Sequence, residues 1–332
     1  MEQQTLFDAE IYKIQEIENQ KTSLCDKFLI PPFSTLDTRQ GYWQNRKKMW
    51  QTLGIKSELG RDATTFNMKD WADKKALEGN SVGSLPIDTS IFDPVLCEIM
   101  YKWFCPVGGK IFDPFAGGSV RGIVANTLGY QYVGIDLSEK QVEANYVNAK
   151  ELLCDFNKLK WINDDSLNVN NYIEDDSVDM IFTCPPYFDL EVYSDKPNDI
   201  SNMEFEDFKF TYQAILRKAF RKLKNNRFGI VVIGDVRDKN GFYRNLIDIT
   251  KQAIVNEKIG FYNDIILLNS LASASLRAEG QFSASRKVVK VHQNVLVFYK
   301  GNQKDIRNNY RIYWYGGIII WWNLKIWLIM LF

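Results

Sequence analysis

Seven short apolar stretches punctuate the middle of the chain, with polar or amphipathic segments between them. Residues 110–112, 131–136, 160–163, 178–183, 228–234, 265–268 and 295–298 read as strands. The run 228–234 is almost wholly apolar, the pattern of a strand covered on both faces. Residues 120–128, 205–223 and 242–257 carry helical spacing, with Phe208, Tyr212, Ile215 and Phe220 on one face of the second. Strand and helix alternate over residues 81–305, which predicts an α/β domain built on a mostly parallel sheet. The last two strands are expected to close it as an antiparallel hairpin.

The flanking segments differ in character. Residues 1–27 form a polar lead-in. Residues 28–80 mix Arg39, Tyr42, Trp43, Arg46, Lys47, Lys48, Trp50, Lys56 and Arg61. Cations among aromatics suit phosphates and unstacked bases. Trp43 and Trp50, a heptad apart, equally suit pinning the segment onto the domain. Residues 271–290 are long for a hairpin connection and carry Arg277, Arg286, Lys287 and Lys290, which makes them the leading candidates for DNA contact. Residues 306–332 end in an apolar run broken by Asn323 and Lys325. That run reads as a divergent tail rather than a membrane span.

Chemistry concentrates in two strings that each follow a predicted strand. The first is Asp113-Pro114-Phe115-Ala116-Gly117-Gly118-Ser119, a glycine turn between strand and helix where backbone N–H groups can approach a ligand. The next strand ends in Asp136, placed to accept the hydroxyls of a ribose. The third strand ends at Asp165, a candidate acceptor for an adenine amino group and equally a helix cap. The glycines do not make the GxGxxG of a dinucleotide site. S-adenosylmethionine (SAM), which has no phosphate, fits the turn better.

The second string is Cys184-Pro185-Pro186-Tyr187. Two prolines cannot continue a central ladder, and they stiffen the backbone where an α/β sheet opens its crevice. An exocyclic base amine is a poor nucleophile because its lone pair is delocalised. Acceptors aimed at its N–H groups favour the tetrahedral geometry it must reach. The Pro185 carbonyl is one such acceptor, and Tyr187 offers a face for a stacked base.

These strings resemble the amino-group DNA methyltransferases of the N6-adenine/N4-cytosine class, especially the solitary enzymes of phages and prophages. The resemblance spans roughly residues 25–305 and rests on residues 90–96, 113–121, 184–194 and 291–300. It implies a Rossmann-like fold with a seven-stranded SAM-binding sheet. It also implies that the DPF-glycine turn binds the methionine end, that Cys184 and the Pro185 carbonyl grip the target amine, and that Tyr187 stacks. Two positions depart from the family pattern. Cys184 stands where Asp, Asn or Ser is usual, so Thr183 or Asp189 could contribute an acceptor. Gly117-Gly118-Ser119 stands where a glycine-polar-glycine order is usual.

Net charge is zero, with 41 basic and 41 acidic residues, so any DNA surface has to be a local patch. The five cysteines have no paired CxxC spacing and His292 is the one histidine, which argues against a zinc site and for a reducing cytoplasm. His292 reads as structural. The expected activity is site-specific methylation of a flipped base by SAM, with adenine N6 favoured over cytosine N4. Methylation of a protein glutamine amide and a DNA-binding protein without catalysis are the alternatives. A cytosine-C5 enzyme is disfavoured because proline follows Cys184 instead of preceding it.

Overall fold

The all-apolar run predicted at 228–234 is the inner part of a longer strand. In the computed structural model, which describes residues 28–55, 92–188, 196–269, 271 and 274–310, it belongs to β6 (Leu223–Ile233). Its polar first half is masked in the apolar pattern because Lys224 and Arg227 pair with Asp179 on the neighbouring strand. The other strands are β1 (Thr35–Asp37), β2 (Lys110–Asp113), β3 (Gln131–Asp136), β4 (Leu159–Asn163), β5 (Val178–Thr183), β7 (Ile259–Leu268) and β8 (His292–Lys300).

They form one sheet in the order β1-β7-β8-β6-β5-β2-β3-β4, with β8 antiparallel to both its neighbours and every other pair parallel. The expected mixed α/β sheet with its antiparallel β7–β8 pair is therefore observed. An eighth strand joins the expected seven, since β1 extends the sheet beside β7.

The helices are α1 (Gly41–Thr52), α2 (Pro94–Phe104), α3 (Val120–Thr127), α4 (Glu139–Leu152), α5 (Phe205–Arg221), α6 (Leu246–Ile254), α7 (Ala274–Ser285) and α8 (Ile306–Asn309). Period-two alternation sends strand residues to opposite faces. Ile181, Val231, Ile233, Leu296 and Phe298 join one buried cluster with Phe208, Tyr212, Ile215 and Phe220 of α5 and Leu246 of α6. Phe182, one residue from Ile181, meets Tyr101 of α2 on the other face at 5.4 Å between ring centroids.

Two sequence expectations are corrected. The helix predicted over 242–257 begins only at Leu246, because Asn245 is left-handed at φ 58° and the residues before it form a hairpin. The segment 271–290, expected as a long loop, contains α7. The packing weighed from sequence for Trp43 and Trp50 is observed in α1. Trp43 Nε1 donates to Asp93 Oδ2 at 3.1 Å and Trp50 Nε1 to Glu98 Oε2 at 2.9 Å, while Arg46 and Lys102 pair with Glu98. Lys47 pairs with Asp93 and Arg39 with Asp37. Arg39, Arg46 and Lys47 thus each pair with an acid of the same chain.

Residues 32–305 make up one compact unit, and the chain ends, from which α8 is described, belong to another. The polar lead-in 1–27, Lys56, Arg61, Asp189 and the tail from 311 onward lie outside the described residues. Among the described residues no helix is long and apolar enough to cross a membrane.

Candidate active site

Strand order decides where a crevice can open. The chain passes from β2 to β3 and β4 on one side, then returns to β5 on the other, so the reversal lies between β2 and β5. Ligand crevices in such sheets form at the carboxyl ends of the strands flanking that reversal. Those ends are Asp113, which opens the first chemical string, and Thr183, which immediately precedes the second.

Asp113 is fully buried, so its carboxylate supports the cradle from behind. It accepts from Arg121 Nε at 2.5 Å, Tyr132 hydroxyl at 2.9 Å, Thr183 Oγ1 at 2.6 Å and the Phe115 amide at 3.1 Å. Arg121 also donates to the carbonyls of Phe115 and Ala116 at 2.7 and 2.8 Å, binding the turn to α3. A buried arginine in a short apolar helix needs an acid and carbonyls to offset its desolvation. That need is the sequence signal by which Arg121 could have been paired with Asp113.

The glycine turn is held open by its neighbours. Gly117 adopts φ 49°, and a Cβ built on it would meet only Arg121 Nη2, at 3.7 Å. Its amide donates to Asp136 Oδ2 at 2.7 Å, and its carbonyl accepts from Asn145 of α4 at 2.7 Å. Ala116 is buried, with its amide on the Ile135 carbonyl at 3.0 Å. Ser166 donates to the Pro114 carbonyl. Asn148 donates to Ser119 Oγ at 2.7 Å, so α4 fixes the turn at two points.

Asp136, at the end of β3, is half-buried. Burial pushes its carboxyl pKa up against the opposing pull of the Ser138 and Gly117 amides. Each oxygen takes one amide, Oδ1 from Ser138 at 2.9 Å and Oδ2 from Gly117. A carboxylate oxygen has capacity for a second donor, so those bonds leave room for a ligand hydroxyl. Asp165 caps a short 3-10 helix (Ser166–Asn171) through Oδ1 on the Leu167 amide at 2.8 Å, and its Oδ2 accepts from Asn198 at 3.1 Å. The cap role weighed from sequence is what its Oδ1 performs.

The di-proline corner is equally constrained. Pro185 is buried, whereas Cys184, Pro186 and Tyr187 are half-buried. The Tyr187 hydroxyl accepts from Gln293 Nε2 at 2.8 Å and lies 3.6 Å from Cys184 Sγ. Its ring lies on Gly234 just beyond β6, where a Cβ would stand 3.2 Å from Cε2. Phe188 follows in the left-handed region at φ 60°, buried between Phe205 and Phe208 with the Arg244 guanidinium 4.6 Å from its ring centroid. Thr183 is fully buried on Asp113, so it supports the corner from within.

The candidate cations lie on and beside α7. Arg277 is exposed on the helix, and Arg286 is exposed just after it, 5.2 Å from the Phe282 ring centroid. Lys287 and Lys290 are half-buried, and burial lowers the Lys290 pKa. His292 opens β8, with its pKa lowered by burial and then by Lys290.

No protein-family model matches the chain, and no curated protein matches it. Solved structures do. TrmN from Thermus thermophilus is 16% identical, with 63% of this chain and 49% of that one covered and a TM-score of 0.44. A methyltransferase from Pyrococcus furiosus is 17% identical, covering 71% of this chain and 96% of its own, TM-score 0.41. A TehB-like SAM-dependent methyltransferase from Corynebacterium glutamicum is 15% identical, covering 70% and 95%, TM-score 0.38. The chain spans about half the length of the TrmN chain it matches. Among the described residues, β8 is the one strand that runs antiparallel to both its neighbours.

The fold is a Rossmann-like α/β sheet, mostly parallel and closed by an antiparallel strand. Within this sheet, Pro114 to Gly118 and Asp136 line the strand ends on the β2–β3 side. Cys184 to Tyr187 line them on the β5–β6 side, and the Thr183–Asp113 hydrogen bond joins the two. Asn145, Ser166 and Gln293 escaped sequence reasoning. Each acts on a partner in another element, which no local pattern records.

Proposed function

We propose that the protein is a SAM-dependent DNA methyltransferase that acts on the exocyclic amine of a flipped base, with adenine N6 favoured over cytosine N4. The observation that carries this reading is the Thr183–Asp113 hydrogen bond at 2.6 Å, which sets the glycine turn and the di-proline corner side by side at the reversal of the sheet.

The cradle fits the cofactor. Gly117 has no side chain where one would be strained, and a Cβ there would meet only Arg121 Nη2 at 3.7 Å, which suits close approach of the amino-acid end of SAM. Asp136 keeps acceptor capacity for a ribose, and Asp165 stands at the end of β4 on the same rim. Bound there, SAM supplies an electrophilic methyl group on a sulfonium.

The remaining work falls to the chain's own residues. The Pro185 carbonyl, fixed by its ring and by burial, accepts an N–H of the target amine and favours its pyramidal form. Cys184 is the second, weaker acceptor. Tyr187, fixed by Gln293 and packed beside Gly234, supports the base ring. A base turned out of the duplex can reach this corner, whereas a stacked one cannot. Arg277, Arg286, Lys287 and Lys290 form the local positive surface that a chain of zero net charge needs to hold phosphates.

The test is transfer of labelled methyl from SAM to duplex DNA, RNA and protein acceptors offered separately. Label in DNA supports the reading. Label confined to protein favours a glutamine-amide substrate, whose planar group suits the same corner.

A further inference from the structure

Between β6 and α6 the chain builds a closed hairpin that the catalytic reading does not use. Arg244 N donates to the Val236 carbonyl at 2.9 Å, Asp238 N to the Phe242 carbonyl at 2.8 Å, and Arg237 bridges Tyr243 in antiparallel fashion. Its loop is Lys239-Asn240-Gly241, with Gly241 N on the Asp238 carbonyl at 3.0 Å and Gly241 at φ 89°. This is a type I turn followed by a left-handed residue, a geometry that suits a three-residue hairpin loop. Asp238 Oδ1 also accepts from the Phe242 amide at 2.9 Å. At the base, Asp235 Oδ1 accepts from both Val236 N and Leu246 N at 3.1 Å.

This ordered tip holds Phe242 out, 74% exposed. Cations stand at its two chain neighbours, Gly241 and Tyr243. The Arg237 guanidinium lies 3.9 Å over the Tyr243 ring and donates to the Gly241 carbonyl at 2.7 Å. Lys290 Nζ stands 6.0 Å from the same ring, and the Lys287 ammonium lies against Gly241. The foot of the hairpin also stands close to the proposed base site. Gly234 touches the Tyr187 ring, and Arg237 is three residues on, at most about 11 Å along the chain.

A rigid aromatic tip among cations beside a base-binding corner has the chemistry of a stack-entering wedge. We propose that Phe242 inserts into the duplex and occupies the gap left by the extruded base, while Lys287 and Lys290 face the flanking phosphates. The proposal rests on the DNA reading above and assigns to this hairpin the step that makes the target accessible.

The experiment uses the full chain and two duplexes bearing its target site, located by methylation-sensitive sequencing. One duplex is fully paired, and the other has an abasic position opposite the target base, where most of the unstacking cost is already absent. Phe242→Ala is expected to lower kcat/KM at least about tenfold on the paired duplex and less than about threefold on the abasic one, with Phe242→Trp restoring the paired rate. Equal rates for Phe242→Ala and the parent on paired DNA overturn the wedge, as does an equal loss on both duplexes. If the parent protein methylates neither duplex, the DNA reading itself falls, an outcome seen before any variant is compared.

Discussion

Thr183 Oγ1 donates to Asp113 Oδ1 at 2.6 Å, so the ends of β5 and β2 are joined by their side chains as well as by the sheet. The other oxygen of that carboxylate accepts from Arg121 and Tyr132. Asp113→Ala would leave the Arg121 guanidinium buried without its counter-charge, and a loss of about 3–5 kcal/mol is expected. Thr183→Val removes one buried partner and should cost about 1–3 kcal/mol. Denaturant midpoints measure both, and a change below about 1 kcal/mol for Asp113→Ala would refute its supporting role.

Glu98 makes a second buried junction, between α1 and α2. Burial works to raise its carboxyl, yet the Arg46 hydrogen bond and the charges of Lys102 and Arg46 outweigh it, leaving the pKa lowered to about 2 from an ordinary 4.5. A depressed folded-state pKa gives stability that is present above the unfolded value and lost as pH falls through the folded one. Thermal melts should therefore show Glu98→Gln clearly less stable than the parent at pH 7. The gap should narrow between pH 4.5 and about 2. A gap unchanged across that window would contradict the ion-pair account.

Tyr187→Ala should lower turnover about 10–100-fold while SAM affinity stays as in the parent, since the ring supports the base and not the cofactor. Calorimetry and steady-state rates read the two separately. A parallel loss of SAM affinity would place the ring in the cofactor site instead.

Asp136→Ala should weaken SAM binding at least about tenfold, through loss of a ribose acceptor and release of the Gly117 amide. Unchanged affinity by calorimetry would remove Asp136 from the cradle. Cys184→Ser should keep or raise activity, because a hydroxyl is a better acceptor than a thiol. Abolished activity would point to a role specific to sulfur.

Much of this architecture was legible in the chain because buried strands leave a local signal. Strand β5 matched its predicted bounds, and β3 did too. What escaped was set by partners distant in sequence. Residues 260–264 of β7 are exposed and lack a continuous apolar run, and they are held as strand by pairing with β8. The hairpin ahead of α6 hides among residues with acceptable helix propensity, and the left-handed Asn245 breaks the run. The site strings were visible as strings, but Asp113 proved to be a support, fixed by Arg121, Tyr132 and Thr183 at separations of 8, 19 and 70 residues.

The most direct measurement is nucleoside analysis of DNA from cells expressing the full chain, set beside cells expressing Tyr187→Ala. The expected result is N6-methyladenine in the first DNA and its near absence in the second. DNA without any amino-methylated base, from cells in which the protein is present and binds SAM, would contradict the proposed substrate.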